Sequence, residues 1–279
     1  MMHRMRCRSP RVFILLFSSL ILGCSAKVPE EMVLVPAGPF IMGTDEVGLE
    51  QEAQELGIEK PWVLDAMPAH RVDLPAFFID RHEVTNGDYA RFVEATGFPR
   101  LPHWSNGRPR PDQERLPVTY VNWVEADAYC RWLGRRLPAE AEWEKAARGP
   151  DGWLYPWGVF FDPRRANVGG LRSGPTPVGS FPLGRSPYGA DDMIGNVWEW
   201  TADWYRSYPG ASYDSPDFGE KYRVARSNSF AGLGHFSKKV MEEVEAIEAR
   251  AAYRLYFPPH VALEDVGFRC ARDVAENAR

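Results

Sequence analysis

The sequence lacks the short motifs that mark several common enzyme classes. It contains no G-x-S-x-G, P-loop, H-E-x-x-H or C-x-x-C pattern, so hydrolase, nucleotide and zinc chemistry have no local support. Histidines are few and lie without ligand spacing, which predicts satisfied loop residues rather than metal ligands. Those beyond residue 23 are His70, His82, His103, His235 and His260.

The N-terminal hydrophobic run, Val12 to Leu22, is too short to cross a bilayer comfortably. It follows four arginines and predicts a secretory signal over residues 1–23. The run ends in "ILGCS", which resembles the lipobox of bacterial lipoproteins. That resemblance implies lipidation of Cys24, anchorage in the cell envelope and, from Ser25, the outer membrane. An ordinary signal peptide with a chance cysteine is the alternative.

Acidic residues outnumber basic ones once this leader is removed. The 33 basic residues less the four arginines of residues 1–23 leave 29 against 38 acidic residues, a net charge of −9. An acidic body of this kind disfavours nucleic acid and anionic lipid as partners. Cysteine is scarce beyond residue 23, with only Cys24, Cys130 and Cys270. In an oxidising compartment Cys130 and Cys270 favour a disulfide that would stabilise the fold by roughly 4 to 5 kcal/mol.

Glycine and proline are abundant, at 24 each, which favours turns and irregular connections over a helical bundle. Strands are predicted in "MVLVPAGPFIMG" and "HRVDLPAFFIDRHEV". Three short helices follow from their start and stop residues. They begin at Thr85, Asn122 and Pro138 and end at Gly97, Gly134 and Gly149.

A fourth helix is predicted at Ser237–Ala252, where an apolar stripe lies opposite a charged face that includes Glu245 and Glu248. The pattern predicts packing on the domain, with docking of a partner as the alternative. The stretch 149–222 is rich in Gly, Pro, Trp and Asp and predicts long ordered loops. Their backbone polar groups need partners, and bound metal ions are one kind.

The stretch "DDMIGNVWEW", Asp191 to Trp200, places the carboxylate of Glu199 between two tryptophans. Burying an unpaired carboxylate costs several kcal/mol or more. Glu199 is therefore either exposed or held by a cation, a hydrogen-bond donor or a proton. Taken alone, Glu199 is a candidate catalytic acid with a raised pKa.

Several ordered blocks make the chain similar to the formylglycine-generating enzyme family, the sulfatase-modifying factors. They are "MVLVPAGPFIMG", "IDRHEVTNGDYARFV", "PVTYVNWVEADAYCRWLGRRLPAEAEWEKAARG", "YPWG", "GNVWEWTADWY" and "VGFRCARD". The resemblance covers residues 32–273, between a linker at 24–31 and a tail at 274–279. It implies an α+β fold, a variant of the C-type lectin fold with short helices, small antiparallel sheets and long loops. Ala139 departs from the family, which usually has Thr or Ser there as a helix cap.

The resemblance also gives Glu199 a role, since the corresponding turn of relatives wraps a calcium ion. The implied calcium ligands are Asp192, Gly195, Val197 and Glu199. A metal-free carboxylate bonded to arginine or backbone is the alternative. A weaker second site would start at Asn167 and Val168, but the acidic and aromatic ligands that follow in relatives are missing here. Cys130 and Cys270 fall on a structural disulfide of the secreted relatives.

Relatives that oxidise a sulfatase cysteine bind copper through two cysteines just after an "R-G-G-S" strand. Here Ser227 and Asn228 replace both glycines, and the helix at Ser237 follows instead of cysteines. A Cu(I) site requires soft thiolates, so copper is not expected and formylglycine generation is disfavoured.

These observations predict a non-catalytic or re-purposed member of the family. It would be a cell-envelope lipoprotein that binds an envelope protein, peptide or glycan, or acts as a scaffold. The first alternative is a cysteine-independent oxidoreductase of the siderophore-maturation type, and the second is formylglycine generation on sulfatases. The ergothioneine branch needs a histidine-rich iron-binding domain, which this sequence does not contain.

Overall fold

A computed structural model describes residues 31–46, 63–231 and 238–275, without the side chains of 238–242. The predicted leader, the lipidation site Cys24, nearly all of the 24–31 linker and the end of the tail lie outside these residues. Within the described ranges, no helix combines the length and apolar character needed to cross a membrane.

Short strands form three small sheets in the described part of the chain. The first sheet is antiparallel, in the order β1 (Met32–Val35), β4 (Phe77–Asp80) and β9 (Ala271–Asp273). The second pairs β2 (Gly38–Met42) with β3 (His70–Leu74). The third has the order β7 (Leu255–Phe257), β6 (Arg223–Arg226), β5 (Trp198–Trp204) and β8 (Val266–Gly267), with only β5 and β8 parallel. Both predicted strand blocks are confirmed, and each contributes one strand to each of the first two sheets.

The helices are α1 (Asn86–Thr96), α2 (Trp123–Trp132), α3 (Glu140–Arg148) and α4 (Lys238–Glu248). Thr85 and Asn122 cap α1 and α2 as predicted, each in a reciprocal pair with the acidic residue three positions on. Helix α4 ends at Glu248, four residues earlier than the sequence predicts. Short helices, small sheets and long loops confirm the expected α+β class.

Helix α3 lacks a capping side chain at Ala139, and other residues compensate. The Glu142 carboxylate accepts a hydrogen bond from the Ala139 N–H at 2.8 Å. Asp203 of β5 accepts from the Glu140 N–H at 2.6 Å. Acceptors from Glu142 and from a neighbouring strand therefore satisfy the free N–H groups at the start of this helix.

Two apolar clusters lie on either side of β5. Trp198 and Trp200 belong to the cluster that contains the predicted disulfide between Cys130 and Cys270, which is formed with Cα atoms 5.6 Å apart. The other cluster contains Trp143 of α3. Successive side chains of a strand point to opposite faces, so the residue between the two tryptophans of β5 is directed toward the second cluster.

Candidate functional site

Glu199 is fully buried at the centre of the fold and is held by a cationic side chain. Its Oε2 accepts hydrogen bonds from Arg269 Nε and Trp143 Nε1, both at 2.7 Å, and its Oε1 accepts from Arg269 Nη2 at 2.7 Å. This is the two-point arginine–carboxylate geometry, which is the strongest common form of ion pair. The sequence left open a cation, a donor or a proton; a cationic side chain and an indole donor satisfy the carboxylate.

Arg269 also ties the loops around Glu199 together. Its Nη1 donates to the carbonyl oxygens of Asp80 and Arg81, and its Nη2 donates to those of Asp191 and Asp192, at 3.0 to 3.3 Å. Burial alone would lower the pKa of Arg269, but Glu199 beside it raises that pKa above its ordinary value. The guanidinium therefore stays charged and joins β5, the end of β4 and the loop before β5.

Residues that the sequence predicts for the two calcium sites lie side by side. Gly195 has a φ of 89°, and a Cβ there would come within 2.8 Å of the Asn167 carbonyl oxygen and 3.0 Å of Val168 Cγ1. Only glycine fits this approach without strain. The Asn196 N–H donates to the same Asn167 carbonyl oxygen at 2.8 Å. Asp192 is buried in the same turn, and its Oδ2 accepts from the Gly179 N–H at 2.6 Å.

Oxygen atoms without partners remain around this turn. Asn196 donates from Nδ2 to Glu83 Oε2 at 3.4 Å, and its Oδ1 accepts from Asn167 Nδ2 at 3.3 Å. In the described part of the chain, Glu83 Oε1 and Asn167 Oδ1 are buried with no hydrogen-bond partner. Burial raises the pKa of Glu83 well above its ordinary value, as do the carboxylates of Asp192 and Glu199. Burial likewise raises the pKa of Asp192.

These oxygens suit a hard cation, which takes about six to eight oxygen ligands. Glu199 fits that role less well, because Arg269 already balances its charge and bonds both of its oxygens. Among the described residues, no three or more His, Cys, Asp or Glu side chains are grouped to hold a metal ion. A calcium ion here would depend on carbonyl and amide oxygens as well. Calcium at Asp192, Gly195, Val197 and Glu199 stays a prediction, but a buried Glu199 no longer requires it.

A second polar region follows β6, where copper-binding relatives carry glycines and then cysteines. Ser227 has a φ of 87°, a conformation that favours glycine, so the backbone retains the shape that a glycine would hold without strain. Its hydroxyl donates to the carbonyl oxygens of Gly195 and Asn228, at 3.3 and 3.1 Å. Ser229 Oγ donates to Asp265 Oδ2 at 2.8 Å. The segment 232–237, where the cysteines would lie, is outside the described residues and contains none in its sequence.

Helix α4 packs Glu245 against this region and also buries Glu248, which corrects the expectation that both lie on a face opposite the apolar stripe. Both are buried, together with Val244 and Ile247 of the stripe. Asn228 Nδ2 donates to Glu245 Oε2 at 3.3 Å, and Glu245 Oε1 has no hydrogen-bond partner among the described residues. Burial raises the pKa of Glu245 to about 7, although the Asn228 amide opposes the rise. The helix is amphipathic in sequence, yet it is covered on more than its apolar side.

The sequence alone identified Glu199 but missed the residues that hold it. Arg269 lies 70 positions further on and Trp143 lies 56 positions earlier, so no local spacing connects them. A usable signal was the block "VGFRCARD", which places an arginine next to a disulfide cysteine and thus inside the core. Glu83 carried a similar signal, as a lone acid between the apolar strand β4 and the cap of α1.

With this fold and geometry, the chain belongs to the family of the sulfatase-modifying factor enzyme 1-like domain, whose family model matches residues 22–274. Formylglycine-generating enzyme of Bos taurus is 30% identical over 303 residues, which cover 88% of this chain and 75% of that protein. Inactive C-alpha-formylglycine-generating enzyme 2 of Mus musculus is 33% identical over 293 residues, covering 86% and 85%.

Hercynine oxygenase of Mycolicibacterium smegmatis is 36% identical over 244 residues, which cover 71% of this chain. The chain spans only 54% of the length of that relative. Among solved structures, PvdO from Pseudomonas aeruginosa aligns with a TM-score of 0.65 and 27% identity, covering 87% of this chain and 94% of that one. The family and its fold are therefore shared over nearly the whole described chain.

Proposed function

We propose that this protein is a lipid-anchored component of a bacterial cell envelope whose formylglycine-generating-enzyme-like domain binds or scaffolds rather than oxidises. The observation that carries the proposal is the region after β6. Ser227 and Asn228 stand where copper-binding relatives have glycines, and the buried Glu245 of α4 packs against Asn228. Hydroxyl, amide and carboxylate groups are hard ligands and do not make a Cu(I) thiolate site.

The cysteine inventory supports the same proposal. Cys130 and Cys270 are joined to each other and are buried, so neither offers a thiolate. The remaining cysteines, Cys7 and Cys24, stand in the N-terminal segment outside the described residues. The resemblance to a relative named as inactive is consistent with a member of this family that keeps the fold without the oxidation.

The test is a direct activity measurement on the purified chain. The protein is loaded with copper and given oxygen and a peptide that carries a sulfatase cysteine motif, with formylglycine-generating enzyme of Bos taurus as positive control. We expect no conversion of the peptide cysteine by mass spectrometry. Turnover above the copper-only background would overturn the proposal.

The anchorage has its own test. In the native bacterium, labelled palmitate should be incorporated into the wild-type chain and not into a Cys24→Ala variant. Acylation on one cysteine by several chains would hold the protein stably at the membrane, whereas a single chain would not. A wild-type chain that takes up no label would remove the lipid anchor and leave the activity result untouched.

A second candidate is a cysteine-independent oxidoreductase of the same family, of the siderophore-maturation type. The 36% identity to a protein named as an oxygenase supports oxidative chemistry in general rather than the siderophore-maturation type in particular. This candidate predicts metal-dependent oxygen consumption by the purified chain in the presence of a small organic substrate. The binding or scaffold proposal predicts none.

A further inference from the structure

Three large apolar side chains protrude from the long loops between α3 and β5. Phe160, Leu171 and Leu183 are 84%, 64% and 71% exposed. Single exposed apolar residues are normal on a protein surface, but a contiguous group of them marks an interaction site.

Hydrogen bonds and backbone packing beneath these side chains connect the loops that carry Phe160 and Leu183. Trp157 Nε1 donates to the Phe160 carbonyl oxygen at 3.0 Å, and Arg165 Nη1 donates to the Leu183 carbonyl oxygen at 2.8 Å. A Cβ on Gly184 would meet both the Arg165 carbonyl oxygen, at 2.0 Å, and the Trp157 ring, at 3.6 Å. The loops that carry Phe160 and Leu183 are therefore packed directly against each other.

The third tip belongs to the same surface. Leu171 lines an open cavity of about 390 Å³ together with Pro163, Arg164 and Arg172. The Arg172 guanidinium lies over the ring of Phe181, 4.8 Å from its centroid, two residues before Leu183. We call this surface the apolar–basic face. It consists of Phe160, Arg164, Arg165, Leu171, Arg172, Leu183 and Arg185.

The charge of this face is opposite to that of the whole chain. Its four arginines face two carboxylates, since Asp162 pairs with Arg164 and Arg165 and Asp191 pairs with Arg185, which leaves a net positive charge. Arg172 is exposed and forms no ion pair with any residue that the structure describes. The net negative charge elsewhere acts weakly here, since exposed charges more than about 8 to 10 Å apart are largely screened at physiological salt.

We propose that the apolar–basic face docks on the anionic headgroups of a lipid bilayer; the inference rests on the proposed anchorage at Cys24. Protruding Phe and Leu tips enter the headgroup–acyl boundary, where their apolar surface leaves water. Arginine forms paired hydrogen bonds to lipid phosphate, and arginines near an anionic surface gain electrostatic attraction. A bilayer receives such tips without a matching cavity, which a protein partner would have to supply.

The position of the N-terminal tether fits this orientation. The Glu31 carbonyl oxygen accepts from the Arg81 N–H, and the Arg81 carbonyl oxygen accepts from the Asp191 N–H. Asp191 pairs at 2.7 Å with Arg185 of the face. The eight residues from Cys24 to Glu31 extend at most about 28 Å, a reach that allows an acylated Cys24 to hold the side of the domain with Arg185 at the membrane.

An environment-sensitive fluorophore tests the inference on the acylated full chain. With Cys24 acylated and the disulfide formed, a cysteine introduced by Leu183→Cys is the one free thiol of the processed protein and carries the probe. On vesicles of phosphatidylcholine with phosphatidylglycerol, its emission should shift to shorter wavelength. Arg172→Gln should lower the ratio of inserted to uninserted probe about fivefold, since an arginine near an anionic surface contributes about that factor.

Matched controls separate docking from anchorage. A probe at Val124→Cys, an exposed position on α2, should show no shift, and Arg71→Gln, an exposed arginine of β3, should leave the Leu183 signal unchanged. A Leu183 probe whose emission on these vesicles equals that in buffer would overturn the inference. So would a shift that grows with protein concentration without vesicles, because a second copy would then cover the face. Palmitate labelling reports the anchor separately, so its failure is distinguishable from failure of the face.

Discussion

Two buried glutamates of this protein, Glu199 and Glu245, have opposite surroundings. Glu199 on β5 is matched by a two-point ion pair with Arg269 and by an indole N–H. Glu245 on α4 has one amide donor at 3.3 Å and an oxygen without a partner among the described residues. The first carboxylate lies within the family block that contains β5, and the second packs against Asn228 after β6.

The difference shows where the stability of the domain resides. A buried charge with all its partners specifies one arrangement of the loops around it, whereas a half-satisfied one costs free energy of folding. The Glu199 region therefore acts as the frame of the domain. The Glu245 region, whose carboxylate is only partly hydrogen-bonded, contributes less to the stability of the domain. Changes to either region therefore test this contrast between the two carboxylates.

Substitution Glu199→Gln should cause the largest loss. It removes the charge opposite Arg269 and turns an amide N–H toward its guanidinium, which leaves a buried cation unpaired. Breaking a buried ion pair from one side costs about 3 to 5 kcal/mol. Chemical denaturation should show a fall of that size in the free energy of unfolding.

The matched control is Glu220→Gln. Glu220 pairs with Arg206 at 2.7 Å, but both side chains are exposed. Exposed pairs contribute about 0 to 1 kcal/mol, so this variant should unfold almost as the wild type does. Equal losses in the two variants would contradict the view that the Glu199 region is the frame.

Adding calcium tests whether the Glu199 region binds a metal ion in addition to the Arg269 ion pair. If the unpartnered oxygens of Glu83 and Asn167 serve an ion next to Asp192, calcium at about a hundred times its dissociation constant should raise the free energy of unfolding by about 2.7 kcal/mol. Thermal melts with calcium and with chelator measure this. Glu83→Gln should abolish the difference while Glu220→Gln keeps it. Identical melts with calcium and with chelator would remove calcium from this turn.

The sequence was sufficient for the local part of this architecture. Helix starts at Thr85 and Asn122 follow from capping residues whose partner is three positions away, and the disulfide follows from a short list of cysteines. The partner of Glu199 could not be predicted the same way, because 70 residues of chain separate it from Arg269.

The error on helix α4 has a different cause. The 3.6-residue period correctly located an apolar stripe that includes Val244 and Ile247. The 3.6-residue period predicts only one buried face of the helix. It gives no sign that a polar pocket containing Asn228 buries a second face. Glu245 was therefore placed opposite the apolar stripe when it is in fact a buried carboxylate with a raised pKa.

Substitution Glu245→Gln should stabilise the protein at high pH. The pKa of Glu245 is raised to about 7 by burial, so the native state binds more protons than the unfolded state between about pH 4.5 and 7. Its contribution is therefore lost as pH rises through that window. At pH 8 the Gln variant should be more stable than wild type by roughly 3 kcal/mol, and the two should converge near pH 4.

Comparison of the two proteins across pH isolates this residue, because other groups with raised pKa, such as Glu83, contribute equally to both. Glu94→Gln, an exposed glutamate of α1, provides the control and should leave the pH profile of wild type unchanged. A Gln variant that is no more stable than wild type at pH 8 would mean that Glu245 is better partnered than its geometry indicates.

The smallest effect is expected from Ser227→Gly. Glycine relieves the positive φ of 87°, which costs a non-glycine residue roughly 1 kcal/mol, but it loses the hydroxyl donor that two carbonyl oxygens share and adds entropy to the unfolded chain. The free energy of unfolding should stay within about 0.5 kcal/mol of wild type. Ser186→Gly is the matched control, since Ser186 is also buried with a bonded hydroxyl but has no positive φ. That control should lose about 1 kcal/mol, because glycine relieves nothing there. If both variants lost equally, the backbone at Ser227 would not be strained, and the region after β6 would be as well matched to its sequence as the frame around Glu199.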